Sequence, residues 1–220
     1  MKNTGNPAGE QRKEVHTDIH GSPAARSFTD IHSHLLPEVD DGAQSLEQSV
    51  RMARTAAMEG IGRIILTPHQ RTDRPSVSPE GTARRMRRLQ EEIDRRKIPI
   101  RLSAFGYFPI LAHAERYEQL TESGRAEELK RSTGCLYQLN AASLTGENGF
   151  LYKSRSRKLL KNGLADFIAT DAHDEKGRGP RIARLTDWLE KRYGKEERDR
   201  LLLHNPAAVL EDREIWQENA

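Results

Sequence analysis

The chain has a single cysteine, Cys135, in 220 residues. An internal disulfide is therefore excluded, which fits a reducing compartment. Cys135 lies in the apolar run CLYQL, where burial is expected, and Ala141 stands where a cysteine-dependent phosphatase needs its arginine. Long apolar runs are also missing. No stretch approaches the ~20 residues of a membrane span, and the N-terminus lacks the apolar core of a signal peptide. A cytoplasmic location without membrane insertion is the expectation. A large excess of one charge is absent too, the formal net charge being +3. That suits anionic substrates and does not indicate nucleic-acid binding. Most of the excess sits in Thr82–Lys97 (TARRMRRLQEEIDRRK), read as a solvated helix face. With 35% hydrophobic and 31% charged residues, the composition predicts a soluble protein with one substantial core.

Residues 1–27 are rich in Gly, Pro, Asn, Arg and Ser without periodicity, and are expected to form a disordered extension ahead of one domain, 28–220. Thr17-Asp18-Ile19-His20 repeats Thr29-Asp30-Ile31-His32, but no apolar strand leads into the first copy. From Phe28 onward, strand patterns alternate with helix patterns. Strands are predicted at 28–32, 62–67, 98–104, 108–112, 134–139 and 165–170. Helices are predicted at 45–59, 80–97, 123–132, 153–162, 180–193, 195–203 and 206–212. Ser45 reads as a helix start, Gly60 as a stop, and Asn205-Pro206 as N-cap and first helical residue. The alternation predicts an α/β fold with parallel strands, barrel-like, whose chemistry sits at the strand C-terminal ends.

The chemistry-bearing residues fall at those ends. In a strand, residues i and i+2 face the same way. His32 and His34 therefore present two imidazoles to one side, as Asp171 and His173 present a carboxylate and an imidazole. His69 and His113 follow further apolar runs, and Asp41 lies in the loop VDDG. Nitrogen and oxygen donors converging from separate strands are how a hydrolase gathers divalent ions.

The motifs DIHSHLLPEVDDG, TPHQ, PILAHAERY and FIATDAH, with Arg178 after the last, closely resemble the bacterial PHP-family (polymerase and histidinol phosphatase) protein-tyrosine phosphatases of capsular and exopolysaccharide gene clusters. The resemblance runs from about Phe28 to about Asp212. It implies a distorted (β/α)7 barrel with up to three metal ions, manganese foremost, and dephosphorylation of the tyrosine-rich tail of a bacterial tyrosine kinase. It implies that His32, His34 and Asp171 hold one ion, His69 and His113 a second, and Asp41 and His173 a third. Arg116 and Arg178 would act as catalytic and substrate-binding residues that grip the phosphate, as guanidinium forks suit its oxygens. A metal-bound hydroxide would attack phosphorus.

The chain also departs from that family. Relatives carry two glutamate ligands, in Gly-Ala-Glu and Ile-Glu-Phe, between the strand here ending Leu102-Ser103-Ala104 and the segment here beginning Phe105. In this chain the two pieces are joined directly, so the barrel is expected to lack one or two βα units and both glutamates. Glu38, Asp40 and Glu115 are weighed as replacements, against a reading as loop carboxylates or as carboxylates behind the ligands. Two outcomes follow: a phosphatase of impaired activity, or a catalytically inactive relative acting as a binding or regulatory module. An oligomer is left open.

Overall fold

The computed structural model describes residues 27–69, 78–104, 110–211, 213 and 215. The extension expected at 1–27 therefore lies, but for Ser27, outside the described residues, as does the earlier TDIH copy.

Six short strands carry the frame: β1 Phe28–Ser33, β2 Ile61–Leu66, β3 Arg101–Ala104, β4 Ile110–Leu111, β5 Leu136–Asn140 and β6 Phe167–Ala169. Each coincides with a predicted strand, although β3 and β4 are shorter than 98–104 and 108–112, and 105–109 lies outside the described residues. Every pairing is parallel. One sheet runs β1-β2-β3, the other β4-β5-β6. Just past β6, Asp171 N donates to His32 O (2.8 Å) and His34 N to Ala172 O (2.9 Å), with Ser33 bridged to Ala172. The two sheets thus join into the array β3-β2-β1-β6-β5-β4. Among the described residues, β3 and β4 have no strand partner on their outer sides.

Both faces of this array are covered, as parallel sheets require. Ile64, Leu66, Leu139 and Ile168 pack against the helices in the larger cluster. On the other face Ile31, Ile65, Leu136 and Phe167 meet Ala208 and Ile215. The helices are α1 Leu46–Met58, α2 Pro79–Arg95, α3 Arg125–Thr133, α4 Ala141–Thr145, α5 Phe150–Lys161, α6 Ala183–Asp199 and α7 Asn205–Leu210. Among the described residues, none is long and apolar enough to cross a membrane. Ser45 caps α1, its side chain accepting from Gln48 N at 3.2 Å. Gly194, at φ 86°, breaks α6 where two helices are predicted to meet. Asn205 is not an N-cap: its backbone is already helical (φ −62°, ψ −47°). The chain reaches it through a π-helical turn, Arg200–His204, and its side-chain Nδ2 donates to Asp166 O at 2.8 Å.

One part-buried ion pair ties α3 to the strands. Lys130 Nζ lies 2.6 Å from both Asp166 carboxylate oxygens, and Asp166 Oδ2 also accepts from Tyr137 N (2.8 Å). Removing one partner of such a pair leaves an uncompensated charge in a dry site. Lys130→Met is therefore expected to cost about 3 kcal/mol. A urea midpoint within experimental error of wild type would show that water reaches Asp166.

Candidate metal centre

His32 and His34 stand at the C-terminal end of β1, where the register with β2 shifts between Asp30 and Ser33. Such an irregularity re-aims side chains. Each imidazole is held from behind. His32 Nδ1 donates to Gln138 Oε1 (2.9 Å), and His34 Nδ1 to Asp40 Oδ2 (2.6 Å). Both Nε2 atoms are thereby aimed inward, 3.3 Å apart, and each lies 3.4 Å from Asp171 Oδ1. Ligands about 2.1 Å from a tetrahedral ion sit about 3.4 Å from one another. The three atoms are thus already spaced as ligands of one divalent ion, and the donor set fits the metal.

A second group shares His34 and adds Asp41, His69 and His173. Asp41 Oδ1 is 3.4 Å from His69 Nε2 and 3.7 Å from His173 Nε2. His173 Nδ1 donates to the Asp171 carbonyl (2.8 Å), which turns its Nε2 toward the group. His34 has only Nε2 to give, because Asp40 holds Nδ1. His69 is therefore gathered with Asp41 and His173, whereas His113 joins neither group. The His113 ring lies 5.7 Å from the His32 ring, and its Nδ1 is buried without a hydrogen-bond partner among the described residues.

The loop bearing Asp40 and Asp41 folds tightly over β1. A Cβ on Gly42 would lie 2.2 Å from the His34 carbonyl oxygen, so only glycine permits this approach. Asp40 also accepts from Gly42 N and His69 N, both at 2.9 Å. It orients two histidines and replaces no ligand. Glu115, fully buried, accepts from Ser143 Oγ (2.6 Å) and so ties the AHAERY turn to α4. Burial pushes its carboxyl upward, which suits a structural acid.

The second oxygen of Asp171 is equally crowded. Oδ2 accepts from Asn140 Nδ2 (2.8 Å), Arg178 Nη2 (2.9 Å) and Arg116 Nη2 (3.1 Å). Burial works to raise the Asp171 carboxyl, but the His34 hydrogen bond and the charges of His32 and Arg178 outweigh it, and the group is held well below the usual carboxylate range. His32, deeply buried, is pulled down to about 4. In His34 burial is overcome by hydrogen bonds to Asp171 and Asp40, which raise it to about 9. Asp30, buried beneath the site and bonded to Thr170, is pushed up to about 6 by desolvation. Asp171 and His113 both take left-handed backbone angles, φ 54° and 41°. Such strain in non-glycine residues concentrates at functional sites.

Sequence reasoning missed Gln138 and Asn140. Gln138 Oε1 receives both His32 Nδ1 and His113 N (2.8 Å), while its Nε2 donates to Asn140 Oδ1 (2.9 Å). An amide relay thus runs from His32 to Asp171. Outer partners of this kind typically change metal affinity 10–100-fold, by about that range. Gln138→Leu is expected to weaken divalent-metal binding accordingly in calorimetry, and Gln138→Glu, which keeps the acceptor, to weaken it less. Equal affinity in both variants would remove Gln138 from the site.

Beyond Asp171 the site opens into a cleft lined by Arg116, Asn140, Glu147, Asn148, Arg178 and Arg181 among others.

Comparison with known proteins places the chain. The family model described as capsular polysaccharide synthesis, CpsB/CapC, matches residues 28–104 and 101–211. Similar proteins include tyrosine-protein phosphatase YwqE of Bacillus subtilis, 26% identical over 239 residues, covering 86% of this chain and 94% of YwqE. Tyrosine-protein phosphatase CpsB of Streptococcus pneumoniae is 23% identical over 241 residues, covering 84% of this chain and 99% of CpsB. A chain from crystal structures of YwqE and CpsB, described as unique metal-dependent tyrosine phosphatases, superposes with a TM-score of 0.80 at 25% identity. That match covers 86% of this chain and 97% of the solved one. All six described strands, the His32/His34 and Asp171/His173 pairs and the AHAERY turn lie inside the matched residues, and the chain belongs to the CpsB/CapC family of capsular polysaccharide synthesis.

Proposed function

We propose that this chain is a metal-dependent phosphotyrosine-protein phosphatase serving capsular or exopolysaccharide synthesis. The observation that carries the reading is the Asp171 carboxylate. One oxygen completes a metal-spaced triad with His32 and His34, and the other is met by two arginines. His32, His34 and Asp171 would hold one divalent ion, and Asp41, His69 and His173 a second; manganese is the ion we favour. Bound there, the ions would supply Lewis acidity and an activated water.

The chain's own residues supply the rest. Arg116 and Arg178, with side chains 36% and 46% exposed, present planar donor forks to an incoming phosphate. Asp174 Oδ1 accepts from Lys176 N and Gly177 N, both 2.6 Å, which closes the loop that carries Arg178. A phenolate leaves with a parent pKa of ~10, so the reaction asks for no strong general acid. The substrate we favour is a tyrosine-phosphorylated protein, the tail of a bacterial tyrosine kinase in the first instance, met in the cytoplasm.

We further infer that the site is reduced relative to its relatives. The family match falls into two stretches that meet at 101–104. The alignment with YwqE runs 239 positions while taking in only 86% of a 220-residue chain. Both speak for relatives carrying residues between β3 and β4 that have no counterpart here, with the two glutamates among them. Two carboxylates, Asp41 and Asp171, then face the ions, which favours two ions over three, and an incomplete barrel whose outer strands invite self-association. The Nδ1 of His113, without a partner among the described residues, favours a second reading, a binding module without turnover.

The test is metal content by elemental analysis, paired with a phosphotyrosyl-peptide assay in manganese. Turnover dependent on added metal supports the first reading. Peptide binding without turnover supports the second. Neither metal nor peptide bound would sink both.

A further inference from the structure

We infer that Arg181 is a specificity residue that receives an acidic side chain flanking the phosphotyrosine. The inference rests on the phosphatase reading and deepens it.

The cleft leading away from Asp171 carries three arginines, Arg116, Arg178 and Arg181, against two carboxylates, Glu147 and Asp171. The arginines are not equivalent. Arg116 and Arg178 both spend a donor on Asp171 Oδ2 (3.1 and 2.9 Å), where the phosphate is to be held. Arg181 is exposed and, among the described residues, meets no carboxylate. Its guanidinium makes one long bond, Nη2 to the Glu175 carbonyl at 3.4 Å. Its backbone is nonetheless fixed, Arg181 N donating to Gly179 O at 2.9 Å. An anchored arginine with unspent donors, in the cleft that ends at the phosphate arginines, is placed to meet the next side chain of a bound peptide. Guanidinium favours a carboxylate, which it binds through paired hydrogen bonds.

Glu147 sets the limit of this preference. Its carboxylate accepts from Thr145 Oγ1 (3.2 Å) and has no basic partner among the described residues. With Arg116 and Arg178 turned to the phosphate, the remaining charges of the cleft are Arg181, Glu147 and Asp171. Among the residues lining the cleft, Arg181 is then the basic group left to receive the carboxylate of the flank, so the preference should vanish with that one residue.

The test uses the manganese-loaded full chain and three fluorescent peptides. Each is built around the non-hydrolysable phosphonomethyl analogue of phosphotyrosine, with Glu, Gln or Lys as neighbours. Anisotropy reads binding whether or not the enzyme turns over. Wild type is expected to bind the Glu-flanked peptide roughly twofold to fivefold more tightly than the Gln-flanked one, an exposed charge contact being screened. The Lys-flanked peptide should bind more weakly than either. In Arg181→Gln the Glu-to-Gln ratio should fall to about one, Arg181→Lys should restore part of it, and Arg125→Gln, a charge-matched change on α3, should leave it intact. Equal binding of all three peptides by wild type, or a preference that survives Arg181→Gln, overturns the inference and leaves the phosphatase reading standing. Failure to bind any of the peptides overturns the phosphatase reading and this inference with it.

Discussion

Asp171→Asn is expected to lower turnover of a phosphotyrosyl peptide by roughly a thousandfold or more, the scale of losing an electrostatic group that acts on the reacting centre. The substitution keeps the side chain's shape and removes its charge, and among the described residues the His32–His34–Asp171 group holds no other carboxylate. His32 and His34 lose the anionic member of their triad, both at 3.4 Å. Arg116 and Arg178 lose the negative charge on the side chain whose oxygen both now share. The metal effect can be read without catalysis. An ion held at a hundred times its dissociation constant stabilises a fold by about 2.7 kcal/mol, so the wild-type melting temperature should climb with added manganese while that of Asp171→Asn stays nearly flat. Asp41→Asn should do less, because Asp41 is 67% exposed and belongs to the looser group. A variant at position 171 that keeps a tenth of wild-type turnover and its metal-induced rise in melting temperature would place the chemistry elsewhere.

The residues that made this site legible in the sequence were those obeying a local rule. His32 and His34 announce themselves by their i, i+2 spacing at the end of β1, whereas Asp171 and His173 share that spacing but lie past β6, Asp171 with a left-handed φ of 54°, and fall in different groups. The same rule would have found Gln138 and Asn140, polar residues two apart in β5, had CLYQL not been read only as a core run around Cys135. Long-range partnership was less accessible. Nothing local distinguishes Asp40, which orients His34, from Asp41, whose carboxylate joins the histidines. The grouping of His69 with His173, and not with His113, depends on how the Gly42 loop closes over β1. Strands β2, β4, β5 and β6 were legible as short, largely apolar runs bounded by breakers, whereas β1 (Phe28–Ser33) and β3 (Arg101–Ala104) mix apolar and polar residues. The five-residue α4 was not, because Ala141–Thr145 follows β5 without an intervening turn and is too short for a helical period to appear. The reading of Asn205-Pro206 as N-cap and first helical residue failed for a tertiary reason: the backbone already arrives helical, and the asparagine side chain is spent on Asp166.

Insertion of a family-like segment, with its Gly-Ala-Glu and Ile-Glu-Phe strands, between Ala104 and Phe105 is expected to raise turnover roughly a hundredfold or more. The gain is electrostatic. Each divalent ion brings two positive charges, and the present donor groups oppose them with Asp41 and Asp171 alone, the remaining donors being neutral imidazoles. Two added glutamates would double the negative charge facing the ions, allow one carboxylate to bridge them, and give His113, whose Nδ1 is now buried without a partner among the described residues, a metal to bind. A bridged and neutralised cluster holds its ions at lower concentration and fixes the attacking water, and each 1.36 kcal/mol so gained is tenfold in rate. The same insertion would give the outer sides of β3 and β4 new strand neighbours. It should therefore also raise the melting temperature and reduce self-association, since an unpaired strand edge is a template for another chain. Metal stoichiometry, turnover and sedimentation of the two proteins, compared side by side, decide the matter. If the chain as it stands binds as many ions, turns over as fast and sediments as the same monomer, then other side chains have taken over the work of the glutamates, and the site is complete without them.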